Sequence, residues 1–457
     1  MKHYDAIVIG FGKGGKILAA DLAKRGLNVA MIERSPMMYG GTCINIACIP
    51  TKALIHQAKV TEYRHLATFK EKAEAYREAI AKKNEITAFL RKKNFDMLND
   101  LANVDVITGI GCFISPTEIE VTTQTERLVL SGDRFFINTG SSSVIPPIKG
   151  IRESQRVYTS TSLMELEVLP ERLVIIGGGY IGLEFASLFA EFGSKVVVLE
   201  SYPQLVGRED RDIAEAVKKV LESKGVEFRL NARVESITDT DEETIIGFTD
   251  SLEKTEHSLF ADAVLVATGR KPNIESLNPG AAGVQVNERG AIVVNEHLQT
   301  TVPHIWALGD VKGGLQFTYI SQDDYRIVKD CLFGEGIRTL IDREPVAYSV
   351  FIDPPLSRIG LTEKEAIEKG YEVKVKAVSV ATIPRARVLG GTDGLLKSVV
   401  DANSGKILGC TLFCVDSSEV INTVAMAMKA GMDYTFLRDG IYTHPSMSES
   451  LNELFSF

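Results

Sequence analysis

The sequence predicts an α/β protein that contains two βαβ units of the same kind and a separate C-terminal α+β domain. A glycine-rich turn between a strand pattern and a helix pattern occurs twice, which predicts the two units. From about residue 345 the chain changes to alternating strand patterns and one helix pattern, without a third glycine-rich turn. A length of 457 residues is compatible with about three domains.

The first unit is the segment AIVIGFGKGGKILAADLAKRGLNVAMIE, in which Gly10, Gly12 and Gly15 form a G-x-G-x-x-G turn and the second strand ends at Glu33. Glycines at this turn let the backbone approach a pyrophosphate, and the helix N-terminus stabilises its charge. The carboxylate can bind the ribose hydroxyls. Such a turn can also be an ordinary one, but the strand, helix and acid around it favour a Rossmann-like dinucleotide site.

The second unit is RLVIIGGGYIGLEFASLFAEFGSKVVVLE, which repeats the pattern with Gly177, Gly179, Gly182 and Glu200. The acid lies 23 residues after the first glycine in both units. Two units predict two dinucleotides, FAD on one and a nicotinamide on the other. A carboxylate at Glu200 favours NADH, because it hydrogen-bonds a free 2′-hydroxyl and repels a 2′-phosphate. Arg208 is close enough in sequence to keep NADPH as the less favoured alternative.

The segment between the units predicts one long helix, and the strand patterns beyond it predict a discontinuous first domain. The long segment HLATFKEKAEAYREAIAKKNEITAFLRKK repeats apolar residues with helical spacing, and its charges are expected to face solvent; the apolar residues are Phe69, Ala73, Tyr76 and Ile80. Strand patterns that end in FFINTG, VLVATG and IWALGD indicate that the chain returns to complete its first domain. The predicted domains are residues 1–150 with 269–344, residues 151–268, and residues 345–457.

The composition predicts a globular protein of the cytoplasm that binds neither nucleic acid nor a membrane. Hydrophobic residues make up 45% and charged residues 24%, and the net charge of -9 disfavours a polyanionic partner. The N-terminus lacks the apolar region of a signal peptide, and no apolar run approaches about 18 residues. Six cysteines are too few for a disulfide scaffold in a chain of this length.

Cys43 and Cys48 are five residues apart in GGTCINIACIPTK, and this spacing indicates a redox-active pair. On an ideal helix this spacing is a rise of about 7.5 Å, beyond the roughly 7 Å limit on Cα separation in a disulfide. A bridge would therefore have to distort the turn, and a strained disulfide is easily reduced. A metal site would lack further ligands nearby, so none is expected. Two ordinary buried thiols are the remaining alternative.

Five motifs together resemble a known family along essentially the whole chain. In chain order they are GGTCINIACIPTK, GGGYIGLEFA, ATGRKPN, ALGD and THPSMSESLNEL. They resemble the flavoprotein disulfide reductases, the class I pyridine nucleotide-disulfide oxidoreductases. The stretches IGFGKGGK and MYGGTCINIACIPTK are most similar to the reactive-chlorine-resistance flavoproteins and the bacterial hypothiocyanous acid reductases. The resemblance implies a homodimer formed through the C-terminal domain, with each active site completed by the partner subunit.

The resemblance implies roles for residues around the cysteines. Cys48 would be the thiolate that faces the flavin, and Cys43 the thiol that meets the substrate. Lys52 would lie by the flavin and pair with Glu184; the alternative is two surface charges. Tyr180 would be the aromatic lid over the flavin where the nicotinamide docks; the alternative is a packing residue.

The resemblance also implies an acid–base pair and further cofactor contacts. His444 and Glu449 match the acid–base dyad, in which imidazole titrates near neutrality and a carboxylate fixes its tautomer. Asp310 would bind the ribityl chain, with a turn aspartate as the alternative. The other expected cofactor contacts are Gly41, Thr42, Thr139, Gly140, Ile181, Gly269 and Gly309.

The remaining cysteines are expected to be inert, and two positions differ from the family pattern. Cys410 and Cys414 are four apart on a strand pattern, about 13 Å end to end, and cannot bridge there. Cys112 and Cys331 have no partner in sequence. Ala47 stands where the family usually has glycine, and TGSSSVIPP varies the TGSxP pattern, but neither removes a reacting group.

The expected function is transfer of electrons from NADH through FAD and the Cys43–Cys48 disulfide to a small oxidised electrophile. Hypothiocyanous acid, reduced to thiocyanate in oxidative-stress defence, is the substrate that the resemblance favours. The alternative activities are those of a lipoamide dehydrogenase and of a reductase of copper(II) or another metal ion. A flavin-binding redox sensor that does not turn over is the alternative from a different functional class.

Overall fold

The structure is a computed structural model that describes residues 1–343 and 345–457. It contains both mainly parallel sheets with helices between their strands and a C-terminal antiparallel sheet, so the predicted fold class is confirmed. None of its described helices combines the length and apolar character needed to cross a membrane.

The strands follow one another in short segments. In chain order they are β1 (Lys2–Tyr4), β2 (Ala6–Ile9), β3 (Val29–Glu33), β4 (Val104–Thr108), β5 (Ile110–Ser115), β6 (Glu118–Thr122), β7 (Arg127–Gly132), β8 (Phe135–Ile137), β9 (Ser141–Ser143), β10 (Val157–Thr159), β11 (Arg172–Ile176), β12 (Lys195–Leu199), β13 (Val226–Arg229), β14 (Ala232–Asp239), β15 (Thr244–Asp250), β16 (Glu256–Ala261), β17 (Ala263–Val266), β18 (Arg270–Pro272), β19 (Ile305–Ala307), β20 (Tyr348–Val350), β21 (Leu356–Gly360), β22 (Val373–Ser379), β23 (Leu395–Asp401) and β24 (Ile407–Phe413).

The helices connect these strands and cover the sheets. In chain order they are α1 (Lys13–Lys24), α2 (Thr42–Asn45), α3 (Cys48–Tyr63), α4 (Phe69–Asn99), α5 (Ser160–Leu163), α6 (Tyr180–Glu191), α7 (Arg211–Ser223), α8 (Thr318–Phe333), α9 (Glu363–Glu368), α10 (Pro384–Leu389), α11 (Ser417–Lys429), α12 (Tyr434–Arg438) and α13 (Ser450–Leu454).

The first sheet has the parallel order β19-β8-β2-β3-β4. All residues of β2 and β3 are buried, as expected for a parallel sheet that is covered on both faces. Strand β19 lies far along the chain, yet its Ile305 pairs with Phe135 of β8. A discontinuous first domain has this topology, and the domain boundaries stay predictions.

The second parallel sheet has the order β10-β17-β11-β12-β13 and contains the second βαβ unit. Three smaller sheets accompany the two units: β1-β7-β6-β5, β14-β15-β16 and the pair β18-β9. The C-terminal sheet is antiparallel, with the order β20-β21-β24-β23-β22. Helix α11 packs on it, since Val420, Ile421 and Val424 belong to its buried cluster.

Helix α4 begins with a capping box between Thr68 and Glu71 and buries the predicted Tyr76 and Ile80. The prediction that its charges face solvent is wrong at Lys83, whose side chain is only 1% exposed. Its Nζ donates to the Met164 carbonyl and to Glu165 Oε1, both at 2.8 Å. These two acceptors offset the cost of burying the ammonium group.

Candidate active site

One continuous cavity of about 1720 Å³ connects both glycine-rich turns with the cysteine pair. Most of the predicted site residues line it: Gly10, Gly12, Glu33, Gly41, Thr42, Cys43, Cys48, Lys52, Thr139, Gly140, Gly177, Gly179, Tyr180, Ile181, Glu184, Glu200, Gly269 and Asp310. The predicted residues Gly15, Gly182 and Gly309 lie behind its wall, and His444 and Glu449 lie outside it. The structure therefore brings together every predicted group except the acid–base dyad.

The first glycine-rich turn is shaped to accept a dinucleotide. A Cβ on Gly10 would lie 2.3 Å from the Asn138 carbonyl oxygen, and Gly10 has a φ of +101° that favours glycine. Helix α1 starts after Gly12 without a side-chain cap. The buried Glu33 carboxylate accepts the Phe11 N–H at 2.9 Å, and burial raises the pKa of Glu33. An uncapped helix end beside a buried carboxylate fits the pyrophosphate and ribose of FAD.

Asp310 lies on the same cavity in a network of polar groups. Its Oδ2 accepts a hydrogen bond from Ser141 Oγ at 2.7 Å, and Arg270 Nε donates to Ser141 Oγ at 2.9 Å. Burial lowers the pKa of the Arg270 guanidinium. The N–H of the neighbouring Gly309 donates to Asp324 Oδ2 at 2.6 Å. Because this N–H group is already bonded inside the protein, Gly309 lies behind the cavity wall.

The second glycine-rich turn leaves its helix N-terminus open. Helix α6 starts after Gly179 without a side-chain cap, and its first three N–H groups have no acceptor in the described parts of the chain. Glu200 stands beside the turn, because its Oε2 accepts the Gly178 N–H at 2.7 Å. A Cβ on Gly182 would lie 2.0 Å from the Gly177 carbonyl oxygen, so this glycine permits helix–strand contact. The donors and the carboxylate fit a second dinucleotide.

The cysteine pair lies across a break between two helices. Cys43 is in α2 and Cys48 begins α3, and the intervening Ala47 has the non-helical angles φ -143° and ψ -104°. The chain between the two cysteines is therefore not an ideal helix. The sequence predicts such a distortion if the two cysteines are to form a disulfide. Both thiols are free, and both line the cavity.

The two thiols differ in their readiness to ionise. The hydrogen bond from Cys43 lowers the pKa of Cys48 to about 6, and Thr318 and Lys52 lower it further, against the effect of burial. Thr318 Oγ1 lies 3.5 Å from Cys48 Sγ. The same hydrogen bond, followed by burial, raises the pKa of Cys43. These opposite shifts of the two pKa values favour the predicted roles, with Cys48 as the thiolate and Cys43 as the protonated thiol.

Lys52 and Glu184 form a direct ion pair on the cavity wall. Lys52 Nζ lies 2.8 and 2.7 Å from the two Glu184 oxygens. The Phe351 N–H also donates to Glu184 Oε1 at 2.8 Å, and the Phe351 ring centroid lies 4.8 Å from Lys52 Nζ. The pair joins the helix of the cysteines to the second βαβ unit. Sequence motifs do not indicate Phe351, because its role arises from a backbone group.

Tyr180 extends into the cavity at the start of α6, and its hydroxyl is bound by residues that no motif indicates. It donates to Glu209 Oε1 at 2.7 Å and lies 2.9 Å from the Tyr348 hydroxyl. Burial, followed by the charge of Glu209, raises the pKa of Tyr180, so the phenol keeps its proton.

His444 and Glu449 form the expected pair, although at a distance from the cysteines of the same chain. His444 Nδ1 lies 2.9 and 3.0 Å from the two Glu449 oxygens. The His444 side chain is 66% exposed, and neither His444 nor Glu449 lines the cavity that holds Cys43. The dyad can serve a site outside its own chain.

Comparison with known proteins gives two matching family profiles. The profile described as pyridine nucleotide-disulphide oxidoreductase matches residues 4–324. The profile of the pyridine nucleotide-disulphide oxidoreductase dimerisation domain matches residues 346–455.

Individual proteins are similar over nearly the full chain. The probable pyridine nucleotide-disulfide oxidoreductase RclA of Escherichia coli (strain K12) is 52% identical over 457 residues, covering 100% of this chain and 99% of RclA. A mercuric reductase of Lysinibacillus sphaericus is 34% identical over 455 residues, covering 98% of this chain and 81% of that protein. A solved structure, the Cu(II) complex of the HOCl-induced flavoprotein disulfide reductase RclA from Escherichia coli, superposes with a TM-score of 0.93 at 52% identity, covering 100% and 99% of the two chains.

Proposed function

The chain belongs to the pyridine nucleotide-disulphide oxidoreductase family, and on that premise we propose that it reduces hypothiocyanous acid to thiocyanate with electrons from NADH. The family implies FAD and a pyridine nucleotide as cofactors, and the dimerisation domain supports a homodimer. The observation that carries the proposal is that Cys43 and Cys48 line the same cavity as both dinucleotide turns. The likeness to the HOCl-induced RclA supports a role in oxidative-stress defence.

The two βαβ units divide the cofactors between them. Glu33, Asp310 and the start of α1 hold FAD, which when bound supplies a two-electron relay between the nicotinamide and the cysteine pair. Glu200 and the start of α6 hold the nicotinamide dinucleotide. Because the Glu200 carboxylate is held beside the turn by the Gly178 N–H, NADH is the favoured donor.

The reduced cysteine pair carries out the substrate chemistry. Cys43 gives its proton to His444 of the partner subunit and attacks the sulfur of hypothiocyanous acid, so an S–S bond forms and the S–O bond breaks. The departing hydroxide takes the proton from the same imidazole and leaves as water. The Cys48 thiolate then attacks Cys43 sulfur, thiocyanate departs, and the disulfide is restored. Each turnover consumes one NADH and one hypothiocyanous acid and yields NAD, thiocyanate and water, without a further proton.

The uncharged, small substrate explains why these groups suffice. Such an electrophile needs an exposed thiol and a proton donor, without a binding arm or a docking surface. A dithiol also prevents the enzyme from stalling as a Cys43 thiocyanate adduct, because Cys48 resolves it.

The testing experiment compares three substrates with one enzyme preparation. NADH oxidation is measured with hypothiocyanous acid and with copper(II), and NAD reduction is measured with dihydrolipoamide. We expect hypothiocyanous acid to give the largest kcat/KM, with turnover abolished in Cys43→Ser and Cys48→Ser proteins that still bind FAD. Efficient dihydrolipoamide turnover with negligible hypothiocyanous acid turnover would instead assign a lipoamide dehydrogenase. Absence of steady NADH oxidation with every oxidant would favour a non-turnover sensor.

Copper(II) reduction is the second candidate, because the similar RclA structure is a Cu(II) complex. The free thiols of Cys43 and Cys48 are suitable electron donors. Two copper(II) ions would each take one electron as the dithiol becomes a disulfide and releases its protons. No cluster of three or more His, Cys, Asp or Glu side chains offers a metal site in the described residues. A copper(I)-specific chelator would measure the product directly, and its absence would remove this candidate.

A further inference from the structure

We propose that Glu209, Tyr348 and Arg358 form a latch that holds the Tyr180 ring in the cavity and so weakens the binding of NADH. This inference rests on the proposed function, in which Tyr180 covers the place where the nicotinamide docks. The three residues of the latch are named by none of the sequence motifs. They are positioning residues, because they act on the dinucleotide through Tyr180.

The hydrogen bonds of the latch converge on one carboxylate oxygen. Glu209 Oε1 accepts the Tyr180 hydroxyl at 2.7 Å and the Tyr348 hydroxyl at 2.5 Å. Arg358 Nε donates to the Tyr348 hydroxyl oxygen at 2.7 Å. Each phenol proton thus has an acceptor, and the Tyr348 oxygen has a donor as well. Hydrogen bonds to a charged acceptor are stronger than those between neutral groups.

The carboxylate depends on these donors because it has few others. The Glu209 side chain is fully buried, and its Oε2 has no hydrogen-bond partner in the described parts of the protein. The nearest opposite charge is Arg358 Nε, 3.5 Å from Oε2. If Tyr180 swings away, a buried carboxylate loses one of its two hydroxyl donors, which carries a desolvation cost. The latched position of Tyr180 is therefore the favoured one before NADH arrives.

The latch is rigid because its parts are fixed by separate regions of the chain. Tyr180 begins α6, whereas Tyr348 and Arg358 lie in the adjacent strands β20 and β21. The rings of Tyr180 and Tyr348 have centroids 5.5 Å apart, and Tyr348 also stacks on Phe317 at 5.9 Å. The loop that carries Glu209 is tied to the second glycine-rich turn, since the Val206 N–H donates to the Gly178 carbonyl at 3.0 Å.

The functional consequence concerns affinity rather than chemistry. When a ligand binds only the open state of a protein, its apparent Kd equals the Kd of the open state divided by the fraction of protein that is open. Loosening the latch increases that fraction and leaves the reacting groups in place. We therefore expect a lower apparent Kd for NADH and an unchanged limiting rate of flavin reduction.

The test is anaerobic stopped-flow reduction of the FAD-bound enzyme over a range of NADH concentrations. We expect Tyr348→Phe, which keeps the ring but loses the hydroxyl, to lower the apparent Kd about fivefold with a limiting rate within about twofold of wild type. Tyr180→Phe, which frees the ring from Glu209 directly, should lower the Kd by at least as much. Tyr76→Phe is the matched control, because it removes a buried hydroxyl that donates to the Leu166 carbonyl, outside the cavity.

The double variant separates a latch from a general structural effect. In the Tyr180→Phe background, Tyr348→Phe should no longer change the Kd, since the two act through one contact. An equal effect in both backgrounds would overturn the latch, as would an unchanged Kd in both single variants. If NADH fails to reduce the wild-type flavin, that result contradicts both the proposed function and the latch. A normal wild type with unresponsive variants overturns the latch alone.

Discussion

The pKa of the Cys48 thiol is determined by opposing influences. Burial alone would raise this pKa, as it does for Cys410 and Cys414, whose thiols are buried and receive no hydrogen bond from the described residues. At Cys48, the hydrogen bond from Cys43 and the contacts with Thr318 and Lys52 outweigh burial. The thiols predicted to be inert and the Cys48 thiol predicted to be reactive therefore differ in the direction of their pKa shifts.

The first prediction concerns the proton that Cys43 shares with Cys48. Cys43→Ala removes the donor, so we expect the pKa of Cys48 to rise from about 6 toward that of an ordinary thiol. Because a lowered pKa keeps the thiolate above that pH and loses it below, the variant should react more slowly near pH 7. The measurement is the pH dependence of Cys48 alkylation in reduced protein, followed by mass spectrometry. Cys43→Ser, which retains a hydroxyl donor, is the control, and identical profiles for the two variants would contradict the explanation.

The second prediction concerns the choice of nicotinamide at Glu200. Wild type should reduce its flavin with a kcat/KM for NADH at least about tenfold above that for NADPH, because the carboxylate repels a 2′-phosphate. Glu200→Ala should narrow this ratio several-fold, chiefly through better use of NADPH. Glu227→Ala, an exposed acid outside the cavity, should leave the ratio unchanged. Equal kcat/KM values for the two dinucleotides in wild type would disprove the assignment of Glu200.

At the scale of elements, local chemistry made the βαβ units predictable and long-range contacts made other features unpredictable. The turns need glycine at fixed positions, and Gly10 and Gly182 would clash with backbone oxygens if they carried a Cβ. The partners of Tyr180 are 29 and 168 residues away in sequence, so no motif or spacing connects them. Helix periodicity predicted α4 but not the burial of Lys83, which depends on a carbonyl of a distant loop.

The third prediction concerns Lys83 as the contact that fastens α4 to the segment at Met164 and Glu165. Lys83→Ala leaves a buried carbonyl without its donor and an empty space, so we expect a loss of roughly 3 kcal/mol. The midpoint of thermal unfolding should fall by several degrees. Lys82→Ala is the neighbouring control, because Nζ of the exposed Lys82 donates to the Gln57 side chain and to no other described residue. Equal midpoints for both variants would show that Lys83 contributes nothing.

In the whole molecule, the acid–base dyad is separate from the cavity, because neither His444 nor Glu449 lines the cavity of its own chain. The motif THPSMSE predicted the pairing of His444 with Glu449, and the structure contains it. In the proposed mechanism, a second subunit brings its own dyad to Cys43, and a sequence pattern can imply this arrangement only through family resemblance. The matching dimerisation domain over residues 346–455 supports such a subunit.

The fourth prediction concerns this sharing between subunits. A His444→Ala chain and a Cys43→Ser chain should each be inactive as homodimers. Their heterodimer should regain about one working site of two, because one cavity then combines an intact Cys43 with an intact His444 of the partner subunit. Turnover is measured on a heterodimer purified through two different affinity tags. A verified heterodimer without recovered turnover would contradict a shared site.

The central claim is that the dithiol transfers both electrons of NADH to hypothiocyanous acid. Its most direct test is the stoichiometry of thiocyanate formed to NADH consumed, measured without oxygen in wild type and in the Cys43→Ser and Cys48→Ser proteins. We predict one thiocyanate per NADH in wild type and no enzymatic thiocyanate from either variant, although NADH still reduces the flavin of both. Thiocyanate formation that persists in the cysteine variants, or its absence in a wild type that turns over dihydrolipoamide efficiently, would contradict it.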